Sequence, residues 1–133
     1  MFSLRKIGLL TDSEEGARAL FQKLVLHLVK LKLRNAKEIR PCPGDWGIDV
    51  IVGELTIGAC LIWQAKYFPN GVRDSQKAQI RDSFEQVVKK SKEKKFHITR
   101  WYLCIPCSLS GPETVWWEKW KKTKTKETEI EKA

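Results

Sequence analysis

The chain has 133 residues, of which 42% are apolar and 31% charged. This is the balance of one globular domain, and it excludes a disordered, collagen-like or membrane-embedded chain. Lys and Arg number 25 against 16 Asp and Glu, a net charge of +9, which favours polyanionic partners such as nucleic acid. The longest apolar stretch, residues 57–63, falls far short of the roughly 20 residues of a spanning helix, and no charged-then-apolar leader is present. The expectation is a soluble cytoplasmic protein without a membrane partner.

Thr11-Asp-Ser-Glu14 has the spacing of a capping box. Behind it Ala17, Leu20, Phe21, Leu24, Val25, Leu28 and Leu31 recur at helical intervals, predicting a helix over residues 12–33. Residues 39–41 read as short and extended, and Pro43-Gly44-Asp45 as a turn. Two runs rich in Ile, Val and Leu follow, 46–53 and 57–66, predicting a hairpin with a loop longer than two residues. Both are too apolar for a half-wet sheet, so they are expected in central positions covered on both faces.

Pro69-Asn-Gly71 breaks the chain and Asp74 is a candidate cap. Ile80, Phe84, Val87 and Val88 then mark one face of a second helix ending near Lys94. Residues 98–106 form a third apolar strand. Ser110-Gly-Pro-Glu113 again has capping-box spacing with Pro in the first turn, opening a short helix whose Trp116, Trp117 and Trp120 pack onto the sheet. From Lys121 onward the chain is mainly Lys, Thr and Glu with Ile130 as its one large apolar residue. That composition predicts a lysine-rich tail or linker over 121–133 and a folded domain over 1–120. The fold class is therefore α/β.

Four cysteines are present, of which only Cys104-Ile-Pro-Cys107 is closely spaced. No second pair completes a zinc site, and Cys104 ends an apolar strand rather than beginning a helix, so buried, reduced thiols are expected. His27 and His97 are the only histidines, and neither a hydrolase triad, a zinc-peptidase helix nor a phosphate-binding glycine loop accompanies them.

Polar residues within the hairpin carry the chemistry. Gln64 and Lys66 share a face of their strand, and Asp49 stands opposite Gln64 if the hairpin is centred between Thr56 and Ile57. An apolar sheet excludes an isolated acid or amine, so a converging carboxylate, amide and ammonium mark a site. The same residues also fit a simple Asp49–Lys66 ion pair at the strand ends.

An Asp followed by Gln-x-Lys on a hairpin, with a helix before it and helix and strand after it, resembles the PD-(D/E)xK restriction-endonuclease-like nucleases. Gly47-Ile-Asp49 and Gln64-Ala-Lys66-Tyr-Phe are similar to the Mrr-like branch, in which Gln replaces the usual acid. The likeness covers about residues 12–120. It implies an αβββαβ core with a mixed central sheet flanked by helices, and a metal-dependent endonuclease that hydrolyses phosphodiester bonds of double-stranded DNA. It further implies Mg²⁺, or Mn²⁺ in its place, held by Asp49, Gln64 and the backbone carbonyl of Ala65, with Lys66 orienting water or stabilising developing charge. Residues 76–84, Cys104-Ile-Pro106 and Glu113 with the tryptophans also resemble nuclease effector domains fused to sensor modules in bacterial anti-phage defence.

One departure concerns the first helix, where family members commonly carry a Glu. The chain reads Phe21-Gln-Lys-Leu-Val25, so Gln22 occupies that place and brings no charge to a metal. Glu15, two turns earlier, is an alternative source of the acid, and Gln22 also fits a plain solvent-facing position. The departure opens a second reading, a catalytically impaired module that binds nucleic acid or oligomerises without cleaving. Arg73, Gln76, Lys77, Gln79 and Arg81, at the start of the second helix, are candidate nucleic-acid contacts. Cutting both strands at once needs two active sites, so a homo-oligomer is expected.

Overall fold

Ser13 starts the first helix, its side-chain oxygen accepting the Gly16 N–H at 3.0 Å and satisfying one of the donors a helix start leaves open. The computed structural model describes residues 13–38, 50–52, 59–128 and 130–132. Helix α1 spans Glu14–Lys32, so the cap lies two residues beyond Thr11, which with Asp12 is outside the described residues. Its buried positions are Ala17, Phe21, Val25, Leu26 and Val29, while Leu28 and Leu31 are 52% and 81% exposed. Steps of four residues advance the contact line by about 40° around a helix. The line running from Ala17 to Val29 therefore leaves behind the two leucines expected in the stripe.

The remaining elements are β1 (Lys37–Glu38), β2 (Val50–Val52), β3 (Ala59–Ala65), α2 (Asp74–Lys94), β4 (His97–Cys104), α3 (Gly111–Thr128) and β5 (Glu131–Lys132). They form one mixed sheet in the order β1-β2-β3-β4-β5. β1 and β2, and β2 and β3, are antiparallel, whereas β3, β4 and β5 run parallel. The first six elements thus follow the order αβββαβ. Val50 pairs with Trp63, Ile51 with Ile62 and Val52 with Leu61, the register of a hairpin centred between Thr56 and Ile57. The extended stretch expected over 39–41 and the turn at Pro43-Gly44-Asp45 lie outside the described residues.

β3 is central and covered on both faces, as its unbroken apolar run requires. Trp63 and Ala65 pack with Ala17, Phe21 and Val25 of α1, and Cys60 and Ile62 pack on the opposite side with Ile80, Phe84 and Val87 of α2. Parallel β3 and β4 need a crossover, and α2 provides it. A bulge shifts the register so that Cys60 pairs with Ile98 but Leu61 with Arg100. The extra residue rephases the alternation, and Ile98 and Trp101, three apart, join the same core. Trp101 is fully buried, with the rings of Phe84 and Trp120 at 5.3 and 6.2 Å.

α3 opens as its sequence indicates. Ser110 Oγ accepts the Glu113 N–H at 3.3 Å, and Glu113 Oε1 accepts the Ser110 N–H at 2.9 Å. Asp74, by contrast, is the first residue of α2 rather than its cap, which is Arg73. The described residues of the segment expected as a tail belong to the fold. α3 continues to Thr128, Ile130 is buried in the α2-side core and β5 pairs with β4. Its polar composition conceals this because Trp120 and Ile130 between them supply the buried contact. Among the described residues no helix is long and apolar enough to cross a membrane.

Candidate functional site

The carboxyl end of β3 carries a polar side chain into the interior. Gln64 is only 6% exposed and Ala65 only 5%. Beyond them Lys66 N–H donates to the Cys104 carbonyl at 2.9 Å, and the Lys66 carbonyl accepts the Phe68 N–H at 3.1 Å. Phe68 and Val72 are both buried in the α2-side core, so the connection to α2 is anchored at two points. Between them Gly71 has φ +101°, a left-handed conformation that glycine adopts without a side-chain clash. Gln76 Oε1 then accepts the Arg73 N–H at 3.1 Å, closing the first turn of α2.

A cavity of about 570 Å³ opens at this point between α1, β3 and the start of α2. Gln22, Gln64, Ala65, Lys66, Arg73, Gln76 and Gln79 all line it. Residues far apart in sequence therefore line one cavity. Asp49 lies outside the described residues. Lys77 and Arg81 do not line the cavity. Lys77 instead holds its amine 5.4 Å from the Trp116 ring centre and 4.0 Å from the Asp74 carboxylate. Glu15 is exposed and does not line the cavity.

Arg18 and Tyr67 also line the cavity and were not singled out from sequence. Arg18 stands four residues before Gln22, hence on the same helix face, and that spacing was the available signal. Arg18, Lys66 and Arg73 make the described lining cationic, with amides from Gln22, Gln64, Asn70, Gln76 and Gln79 and no carboxylate. Such a surface suits an anion. Amide and carbonyl oxygens also suit a hard divalent cation, but without a carboxylate they cannot balance its charge. Among the described residues no cluster of three His, Cys, Asp or Glu side chains gathers to bind a metal.

Glu113 lies behind the cavity wall. Its Oε2 accepts the Val72 N–H at 2.6 Å. Hydrogen bonds from the Ser110 and Val72 backbone hold its carboxyl below the usual range, assisted by the Lys77 charge. Among the described residues Cys60 is buried and Cys104 and Cys107 partly so, none of them in a disulfide, while Cys42 lies outside the described residues. Burial pushes the Cys60 thiol up to about 11, and its Sγ–H donates to the His97 carbonyl at 3.4 Å.

No protein-family model, curated protein or solved structure matches the chain.

Proposed function

We propose that the protein is a metal-dependent endonuclease that hydrolyses DNA phosphodiester bonds, with a restriction-endonuclease-like core. The observation that carries this reading is the meeting of Gln22, Gln64 and Lys66 in one cationic cavity with Arg73 at its rim. Asp49 directly precedes Val50 in the chain, and Val50 is the register partner of Trp63, the neighbour of Gln64. We add Asp49 to this site from its place in the sequence.

Mg²⁺, or Mn²⁺ in its place, would be held by the Asp49 carboxylate, the Gln64 amide oxygen and the Ala65 carbonyl. When bound, it supplies Lewis-acid stabilisation of phosphate charge and lowers the pKa of water. Lys66 donates from its ammonium, orienting the attacking water or compensating the negative charge that gathers on the phosphoryl oxygens. Arg18 of α1 and Arg73, the cap residue of α2, neutralise phosphates beside the one being cut. Cutting both strands of a duplex together calls for two copies of the site. The likeness to effector domains suggests a role in anti-phage defence in the cytoplasm, under the control of a sensor module.

Plasmid DNA incubated with Mg²⁺, Mn²⁺ or EDTA tests the activity. Cleavage is expected with either metal and is expected to disappear in Asp49→Ala and Lys66→Ala variants whose melting temperatures match the wild type. Metal-independent cleavage, or full activity in either variant, would overturn the assignment. The absence of a carboxylate from the described lining favours a second reading, a nuclease-fold module that binds nucleic acid without cutting it. Duplex binding without cleavage, both in the wild type and in Gln22→Glu, would establish that reading.

A further inference from the structure

The segment that carries Gly71 and Arg73 into the cavity wall is met from outside by a side chain of α3. Glu113 belongs to the first turn of α3 and does not line the cavity. One carboxylate oxygen caps its own helix through the Ser110 N–H at 2.9 Å, and the other reaches across the fold to the Val72 N–H at 2.6 Å. Val72 immediately precedes Arg73, whose N–H is in turn held by Gln76. Both Arg73 and Gln76 line the cavity. Gly71 completes the arrangement, since a Cβ placed there would lie 3.2 Å from Glu113 Oε2, in a backbone conformation of φ +101° that side chains rarely adopt.

We propose that Glu113 is a positioning residue for this site, holding through Val72 the backbone that presents Arg73 to a bound phosphate. The phosphate as ligand rests on the nucleic-acid reading above, whereas the control of the loop by Glu113 does not. A carboxylate suits the task because it has an acceptor for each of the two donors. In Glu113→Gln one oxygen becomes an amide NH₂, which leaves one backbone N–H unmatched.

Two measurements on the full chain test this. In the first, amide hydrogen exchange at Val72 is expected to speed up on the order of tenfold in Glu113→Gln. Ser110→Ala removes a hydroxyl that meets both the Glu113 N–H and the Glu113 carboxylate but leaves the Val72 N–H its acceptor, and it is expected to leave Val72 exchange at the wild-type rate while weakening the helix start. Gly71→Ala is expected to accelerate Val72 exchange as Glu113→Gln does. The second measurement is binding of a fluorescent DNA duplex in EDTA. Glu113→Gln is expected to weaken it on the order of fivefold, and to have no further effect once Arg73→Ala is present, as coupled residues do.

Unchanged Val72 exchange in Glu113→Gln would overturn the proposal, as would losses from Glu113→Gln and Arg73→Ala that simply multiply. Should Glu113→Gln not fold, Glu113→Asp keeps the charge but is too short to span both donors, and the same exchange and binding outcomes apply to it. Faster Val72 exchange in a protein whose wild type binds no duplex would support the control of the loop and overturn the nucleic-acid reading.

Discussion

Gln22 brings an uncharged amide to the α1 wall of the cavity, where Arg18 supplies the charge. It faces the same space as Gln64 and Lys66, and the described lining has three cations and no acid. Hard divalent cations bind more tightly as anionic ligands are added. Gln22→Glu is therefore expected to lower the Mn²⁺ concentration needed for half-maximal cleavage on the order of tenfold, read from a metal titration of the cleavage rate. An unchanged titration would place this side chain away from the metal. Cys60 gives a second expectation. With its thiol pushed up to about 11, it remains protonated near neutral pH and is expected to resist a thiol reagent until the protein unfolds. The sign of the linkage follows, because the unfolded thiol ionises first as pH rises, so stability is lost on passing above about 9. Residues that share a local period, such as Gln64 and Lys66, were legible in the sequence. The bond between Val72 and Glu113, 41 positions apart, was not, because Ser110-Gly-Pro-Glu113 already accounts for the acid as a cap.

Elements were legible where periodicity and packing agree. α2 ends at Lys94 as expected and buries Ile80, Phe84 and Val87, and the β2–β3 register follows from the midpoint of two apolar runs. Composition fails at α3, whose second half looks solvated because its contact is concentrated in a few side chains. Trp120 packs against Phe84 at 5.4 Å, and Ile130 lies in the same core. Thr128 Oγ1 accepts the Ile130 N–H at 3.3 Å, joining the helix end to β5. If the segment is structural, Ile130→Ala should destabilise the fold by about 2 kcal/mol or more, the range for truncating a buried Ile. A loose tail would show no change, and urea unfolding of the two proteins separates these outcomes. The same logic explains Leu28 and Leu31. Period alone includes them in the α1 stripe, whereas the drift of the contact line around the helix leaves them exposed.

At the scale of the whole molecule, a net charge of +9 attracts polyanions from every side, but only charges that meet phosphates determine the salt dependence of binding. Arg18, Lys66 and Arg73 converge at the cavity, whereas Lys89, Lys92 and Lys94 lie exposed toward the far end of α2. Each neutralised phosphate contributes about −0.9 to the slope of log K against log salt for duplex DNA. Three cavity cations therefore give a slope near −3, and losing Arg73 reduces its magnitude by about 1. Neutralising Lys89, Lys92 and Lys94 together is expected to leave the slope unchanged, although it removes three positive charges from the molecule. The comparison separates a footprint centred on the cavity from attraction spread over the surface. If the three lysines change the slope while Arg73→Ala does not, the duplex lies along α2, and the cavity loses its place in DNA recognition.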